Sequence, residues 1–251
     1  MPREDEPLLP RAHPNPTSRL RAYLKQEVSP RRGDLVLLLC YVITGLLDSS
    51  AFFIWSSFVS MQTGNTVYLG LGLAQADPDR RWVKSGLSIA SFCVGSWFFG
   101  AFYQFCGPSA RRRWALCASF LFQALLVGIA AVIVTLHRHH RLGAEEWSVL
   151  VPLCMVAFQS SGQAVTSRIL ECRGLTSVVL TSVYCDLFSS PVGLNLEQRR
   201  RVAAILCLGL GTMLGGLWAK SPTGLSGALW TAVALKGGIG VAWMAWPGVV
   251  E

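Results

Sequence analysis

The stretch 41–74, YVITGLLDSSAFFIWSSFVSMQTGNTVYLGLGLA, limits the possible folds of this chain more than any other. It is apolar enough to live in lipid. Yet it carries an acid, Asp48, inside its first oily run, and a polar break, Gln62-Thr63-Gly64-Asn65-Thr66, before the second. A carboxylate in a membrane segment is costly and faces a protein interior or a water-filled cavity. A polar break at membrane depth is tolerated only where protein or a cavity satisfies its backbone. The stretch therefore predicts an integral membrane protein with a polar interior.

Composition decides the class around it. Only 14% of the 251 residues are charged and 52% are hydrophobic, against about 25% charged in an average soluble domain. The expected fold is all-α, a polytopic transmembrane helix bundle. A net charge of +8 raises nucleic-acid binding as its cause. The basic residues, however, gather in the tail and in short loops between oily runs, as membrane proteins place them. The expected partner is the lipid bilayer, and no nucleic acid is expected. The eight cysteines are dispersed, with no C-x-x-C pair. Neither a disulfide framework nor a zinc site is expected.

Apolar segments fall at about 34–59, 63–76, 82–106, 112–136, 147–167, 174–190, 202–219 and 225–246. Six are long. The second and sixth are short and polar-interrupted. Residues 34–76 make roughly 64 Å of helix, enough for two crossings of a ~30 Å core or for one crossing and a half-helix. With the N-terminus inside, 15 Lys and Arg lie inside and 6 outside whether six or eight segments cross, Lys236 excluded. The balance predicts cytoplasmic N- and C-termini and leaves the number of crossings open.

Residues 1–33 read as a Pro- and Arg-rich tail, disordered for the most part. It has no apolar run of a cleaved signal peptide. Ser18 caps a candidate interfacial helix with Leu20, Leu24 and Val28 on one side. Glu4, Leu8 and Leu9 have the spacing of an acidic dileucine sorting signal. His137, His139 and His140 read as a solvated loop rather than a metal site, for want of nearby Cys or carboxylate.

The transmembrane domain, 34–247, reads as two echoing halves, about 34–136 and 147–247. Each has a long segment, a short interrupted one, a charged loop, then two long ones. Gly95 and Gly100 are matched by Gly211 and Gly216 at the same spacing, and these glycines are expected to pack helices closely. Duplicated halves with interrupted helices are a common transporter plan.

Gly45-Leu-Leu-Asp48, then Met61-Gln-Thr-Gly-Asn-Thr66 running into Gly70-Leu-Gly-Leu-Ala74, resembles the YoaK family of small integral membrane proteins. Gln159 to Gln163 and Leu180-Thr-Ser-Val-Tyr-Cys-Asp186 resemble the same family, its fungal members above all. The likeness covers about 34–246. Where many relatives carry Thr-Gly, this chain has Thr181-Ser182. The resemblance implies a membrane location and supplies no activity.

The candidate polar site comprises Asp48, Thr63, Gly64, Asn65, Gln159, Gln163 and Thr181. Asp48 either binds a proton or cation, or accepts hydrogen bonds that lock two segments together. Thr63, Gly64 and Asn65 either open a helix toward a bound anion or polar group, or form a capped turn. Gln159 and Gln163 share a helix face and either line a cavity or pair across helices. Lys236 is expected to pair with Asp186 or Asp48, or to snorkel. No catalytic motif occurs, so neither an enzyme nor a cofactor is expected. Two functions remain. One is a permease for a small polar solute or ion. The other is a non-transporting scaffold or assembly factor. The organelle and the oligomeric state stay open.

Overall fold

A computed structural model describes residues 16–29, 33–75, 80–107, 110–137, 147–172, 175–189 and 195–248. The acidic dileucine pattern, His139 and His140 lie outside them. The described residues form helices α1 (Pro16–Lys25), α2 (Gly33–Trp55), α3 (Gln62–Leu73), α4 (Arg81–Phe105), α5 (Arg113–Leu136), α6 (Trp147–Ile169), α7 (Thr181–Ser189), α8 (Leu196–Lys220) and α9 (Leu225–Ala245). Among them there is no strand, only two isolated bridges.

Six helices, α2, α4, α5, α6, α8 and α9, are long and apolar enough to cross a membrane. At 1.5 Å per residue, α3 is about 18 Å long and α7 about 14 Å, too short for a ~30 Å core. The second and sixth apolar segments are thus half-helices. Residues 175–180 of the expected sixth segment are not helical. The seventh starts earlier than its hydropathy suggests: the Asn195 side chain accepts from Gln198 N at 2.9 Å and caps α8. The Arg199–Arg201 run therefore lies on α8, not in a loop, and Arg201 pairs with Glu197 one turn back at 2.7 Å.

The central helices are α2 and α6, each with 67% of its apolar stretch buried. Around them α5 and α9 bury 39%, and α4 and α8 bury 22%. The outer helices turn Trp97, Leu206, Leu210 and Leu217 outward, as a lipid-facing surface requires. α8 runs parallel to α2, and α4 parallel to α6. A Cβ at Gly211 would lie 2.2 Å from Val42 O, and one at Gly95 2.4 Å from Phe158 O. Only a missing side chain lets these backbones meet. Gly100 and Gly216, expected to pack the same way, have nothing within 4 Å of a built Cβ. Five residues at 3.6 per turn rotate about 140° around the helix, so each faces away from its partner glycine's contact.

α5 and α9 run antiparallel, from Arg113 beside Met244 to Thr135 beside Trp230. The end of the bundle with Arg113 is closed by the tail. α1 begins at Pro16, so Ser18 lies within its first turn rather than capping it. The helix ends at Lys25, and Val28, expected on its apolar side, is instead fully buried in extended chain. Val28 N donates to Arg111 O at 2.9 Å and Ser29 N to Pro247 O at 3.0 Å. Arg113, only 4% exposed, donates to the Tyr23 hydroxyl (2.6 Å), Met244 O (3.0 Å) and Gln26 Oε1 (3.0 Å). Its guanidinium also stacks 4.1 Å from the Tyr23 ring centre. Arg113→Ala removes these bonds at about 1–3 kcal/mol. Trypsin cleavage at Arg21 and Lys25 should then rise about tenfold or more, since cleavage follows the open population. Unchanged cleavage would show that Arg113 does not hold the strap.

Candidate functional site

Two polar clusters lie inside the bundle. The first is built around Asp48, 1% exposed on α2. α2 stops at Trp55, whose carbonyl accepts from Lys84 Nζ at 2.8 Å. Ser56 takes a left-handed φ of 57°, and the chain turns back toward the bundle centre. Val59 N and Ser60 N then donate to Asp48 Oδ1 at 2.8 and 2.9 Å, and the Ser60 hydroxyl donates to Oδ2. Each carboxylate oxygen therefore has a protein donor. Val59 O accepts from Ser160 Oγ of α6 at 3.0 Å, which fixes the loop to the second central helix.

Asn65 closes this loop. Its Oδ1 accepts from Phe58 N (3.0 Å), and its Nδ2 donates to Phe58 O (2.7 Å), as a neighbouring strand would. Nδ2 also reaches Gln62 Oε1 (2.9 Å) and Ser88 Oγ (3.1 Å). The Phe58 ring stacks on Phe52 at 4.6 Å and covers Gly64, where a Cβ would come within 2.8 Å of it. Gly64 is thus a seat for an aromatic ring.

The second cluster is built around Lys236, fully buried on α9. Its Nζ donates to Gln123 Oε1 at 2.7 Å and Gln163 Oε1 at 2.5 Å. The Phe120 ring centre lies 5.7 Å away. Gln163 Nε2 is in turn directed at Thr44 Oγ1 (3.1 Å), Ser177 Oγ (3.3 Å) and Cys40 O (3.5 Å). Gln123 has room because Gly162 has no side chain: a Cβ there would lie 2.7 Å from its Nε2. Ser177, with φ 61°, sits in the loop from α6 to α7. That loop reaches the central helices from the tail end of the bundle, and the 56–61 loop reaches them from the other.

The ion pair expected between Lys236 and Asp186 is not formed, and Asp48 does not take its place. Asp186 lies on the exposed face of α7, where its carbonyl accepts from Arg201 at 3.2 Å. The acceptors of Lys236 are two neutral amides. Thr63 and Thr181 are exposed on the outer faces of their short helices and join neither cluster. Gln159 turns its Nε2 to Val156 O at 2.9 Å, and its buried Oε1 has no partner. Reading the sequence missed Ser57, which donates to Asn65 Oδ1 at 3.2 Å, and Ser60, Ser88, Thr44, Ser177 and Gln123. Only Gln123 left a signal, as a lone amide in the oily run 112–136.

Neither of two surface grooves reaches these clusters. One, of about 490 Å³, is lined by α5 and α9 with Leu125, Gly128, Ile129 and Trp230. The other lies at the far end, beside Trp218 and Thr223. Among the described residues no three His, Cys, Asp or Glu gather as metal ligands. His137 instead bonds Ile133 O at 3.0 Å and packs against Trp147.

Six long apolar helices around a hydrogen-bonded polar interior define a multi-pass membrane protein. The chain belongs to the family described as "Protein of unknown function (DUF1275)", whose model matches residues 36–242. Nothing matches it among the curated proteins or the solved structures.

Proposed function

We propose that this protein is a permease for a small polar solute, built from two duplicated halves inverted in the membrane, and that it is not an enzyme. One observation carries the reading: two half-helix loops approach the same central helix pair, α2 and α6, from opposite ends of the bundle. Ser60 meets Asp48, and Ser177 meets Gln163. If α2–α5 and α6–α9 are equivalent, exchanging them turns the α2/α8 contact into the α6/α4 contact. It maps α5/α9 onto itself and reproduces the paired burials. Three crossings per half, an odd number, start the second half on the opposite face. Such inverted repeats with broken helices near the midplane are the plan of many secondary transporters. The charge balance supports an orientation with the tail, Arg111–Arg113 and Arg199–Arg201 in the cytoplasm.

Purified protein in proteoliposomes should show saturable flux of at least one solute from a panel of cations, anions and neutral polar molecules. Absence of flux across the panel, with the protein folded, would overturn the permease. The scaffold reading is favoured by the complete hydrogen bonding of Asp48 and Asn65, which a static bundle would also have. It predicts instead that deleting residues 1–22 abolishes the protein's effect in cells, with no flux at any stage.

A further inference from the structure

Lys236 is the feature that the fold alone explains least. A lone ammonium in a membrane interior is costly, and buried cations are ordinarily paired. Lys236 has no carboxylate partner among the described residues, and each oxygen of Asp48 is engaged by the 56–61 loop. The surrounding groups are neutral: the two glutamine amides, the Cys40 carbonyl reached through Gln163, the hydroxyls of Thr44 and Ser177, and the Phe120 ring. Two amide carbonyls leave one of the three ammonium N–H donors unassigned. In its protonated form Lys236 therefore meets dipoles alone.

We infer that Lys236, with Gln123 and Gln163, is the binding site for a small monovalent anion of the carboxylate class. This deepens the permease reading and rests on it for its role in transport. One cation calls for one negative charge. A glutamine side chain can turn its amide, so Gln123 and Gln163 can exchange a carbonyl facing Lys236 for an Nε2 donor facing an anion. The ammonium and two amide donors would then grip a carboxylate. Thr44 and Ser177 hydroxyls lie next to Gln163 to take up the remaining polar contacts. The site joins α5, α6 and α9, and through Ser177 the loop before α7. An anion held there would touch both halves at once, where a change of access must be sensed. Gly162 makes the arrangement possible by leaving room for the Gln123 amide.

The test uses full-length protein in nanodiscs, with Lys236→Met and Lys236→Arg. Methionine keeps the length and apolar volume without the charge, and relief of the cost of burying an unpaired ammonium offsets the two amide carbonyls left without their donor. Thermal unfolding and intrinsic Trp fluorescence are followed against sodium acetate, sodium lactate and sodium chloride at constant ionic strength. Trp243 packs 6.4 Å from Phe120, so it lies close enough to report. The expected result is saturable binding of acetate or lactate to wild type, weakened at least tenfold in Lys236→Met and within about threefold of wild type in Lys236→Arg. Equal binding to wild type and Lys236→Met, or no saturable binding to folded wild type, overturns the site. Binding in nanodiscs without flux in proteoliposomes would keep the anion site and remove the permease. Flux of a cation or neutral solute that Lys236→Met leaves unchanged, with no saturable binding of acetate or lactate to folded wild type, would keep the permease and remove the anion site.

Discussion

Gly211→Leu should leave no folded protein to purify from detergent extracts, while Gly216→Leu should purify like wild type. The two glycines are five residues apart on one lipid-facing helix, and composition does not tell them apart. At Gly211 the first carbon of any side chain would sit 2.2 Å from Val42 O and 2.9 Å from Val42 C. Those are backbone atoms of α2 and cannot swing away. Even alanine forces α8 off α2, and overpacking in a well-packed core costs about 1–3 kcal/mol. Leucine adds three more carbons on the same seam. Neighbouring positions would lose their contacts with it: Gly45 meets Leu208 O, and Gly215 meets Leu46 O. At Gly216 nothing lies within 4 Å, so the new side chain meets lipid. Size-exclusion profiles and thermal unfolding of the two variants check this. Similar profiles for both would mean that the α2 and α8 backbones do not meet at Gly211.

Asp48→Ala should lower the midpoint of thermal unfolding by about 10 °C. Two backbone N–H groups, of Val59 and Ser60, would lose their acceptor in a buried loop, at about 1–3 kcal/mol each. Relief of the cost of burying a carboxylate offsets part of this, leaving about 3 kcal/mol. At about 2–4 °C per kcal/mol for a chain of this size, that gives the shift. Asp48→Asn keeps a carbonyl where Oδ1 was, and the Ser60 hydroxyl can turn to accept from the new amide. Its loss should be less than half as large. Ser60→Ala removes only the bond to Oδ2 and should cost least of the three. Asp48→Ala melting like wild type would show that the carboxylate does not hold the loop. The same series bears on transport: if Asp48 is a lock, flux per folded molecule in Asp48→Asn should keep the wild-type response to pH.

Much of this arrangement could be read from the chain. The oily runs marked six long helices because lipid demands them at a length set by bilayer thickness. Asp48 and Gln62–Thr66 marked a break because an uncompensated polar group in lipid is too costly to be casual. Gln159 and Gln163 were legible as interior residues for the same reason. Their partners were not. Ser60, Ser88 and Ser177 carry no distinguishing pattern, since small hydroxylated residues are common in membrane helices. Thr63 and Thr181 looked like site residues because they sit in polar breaks, yet they face outward. The face that a half-helix presents depends on the loop that precedes it. Lys236 looked like half of an ion pair because buried charges are usually paired, but Asp186 lies on a short helix at the bundle edge.

Hydropathy and charge by themselves determined the solvent, the helical class, the long segments and the need for a polar interior. These follow from local composition measured against a bilayer. Tertiary packing alone decided that α3 and α7 stop short, which glycines touch a neighbouring backbone, and that Asp48 serves a loop while Lys236 rests between two amides. Those outcomes depend on rotation about each helix axis and on contacts more than a hundred residues apart in the chain, such as Val59 with Ser160. No short window of sequence records either.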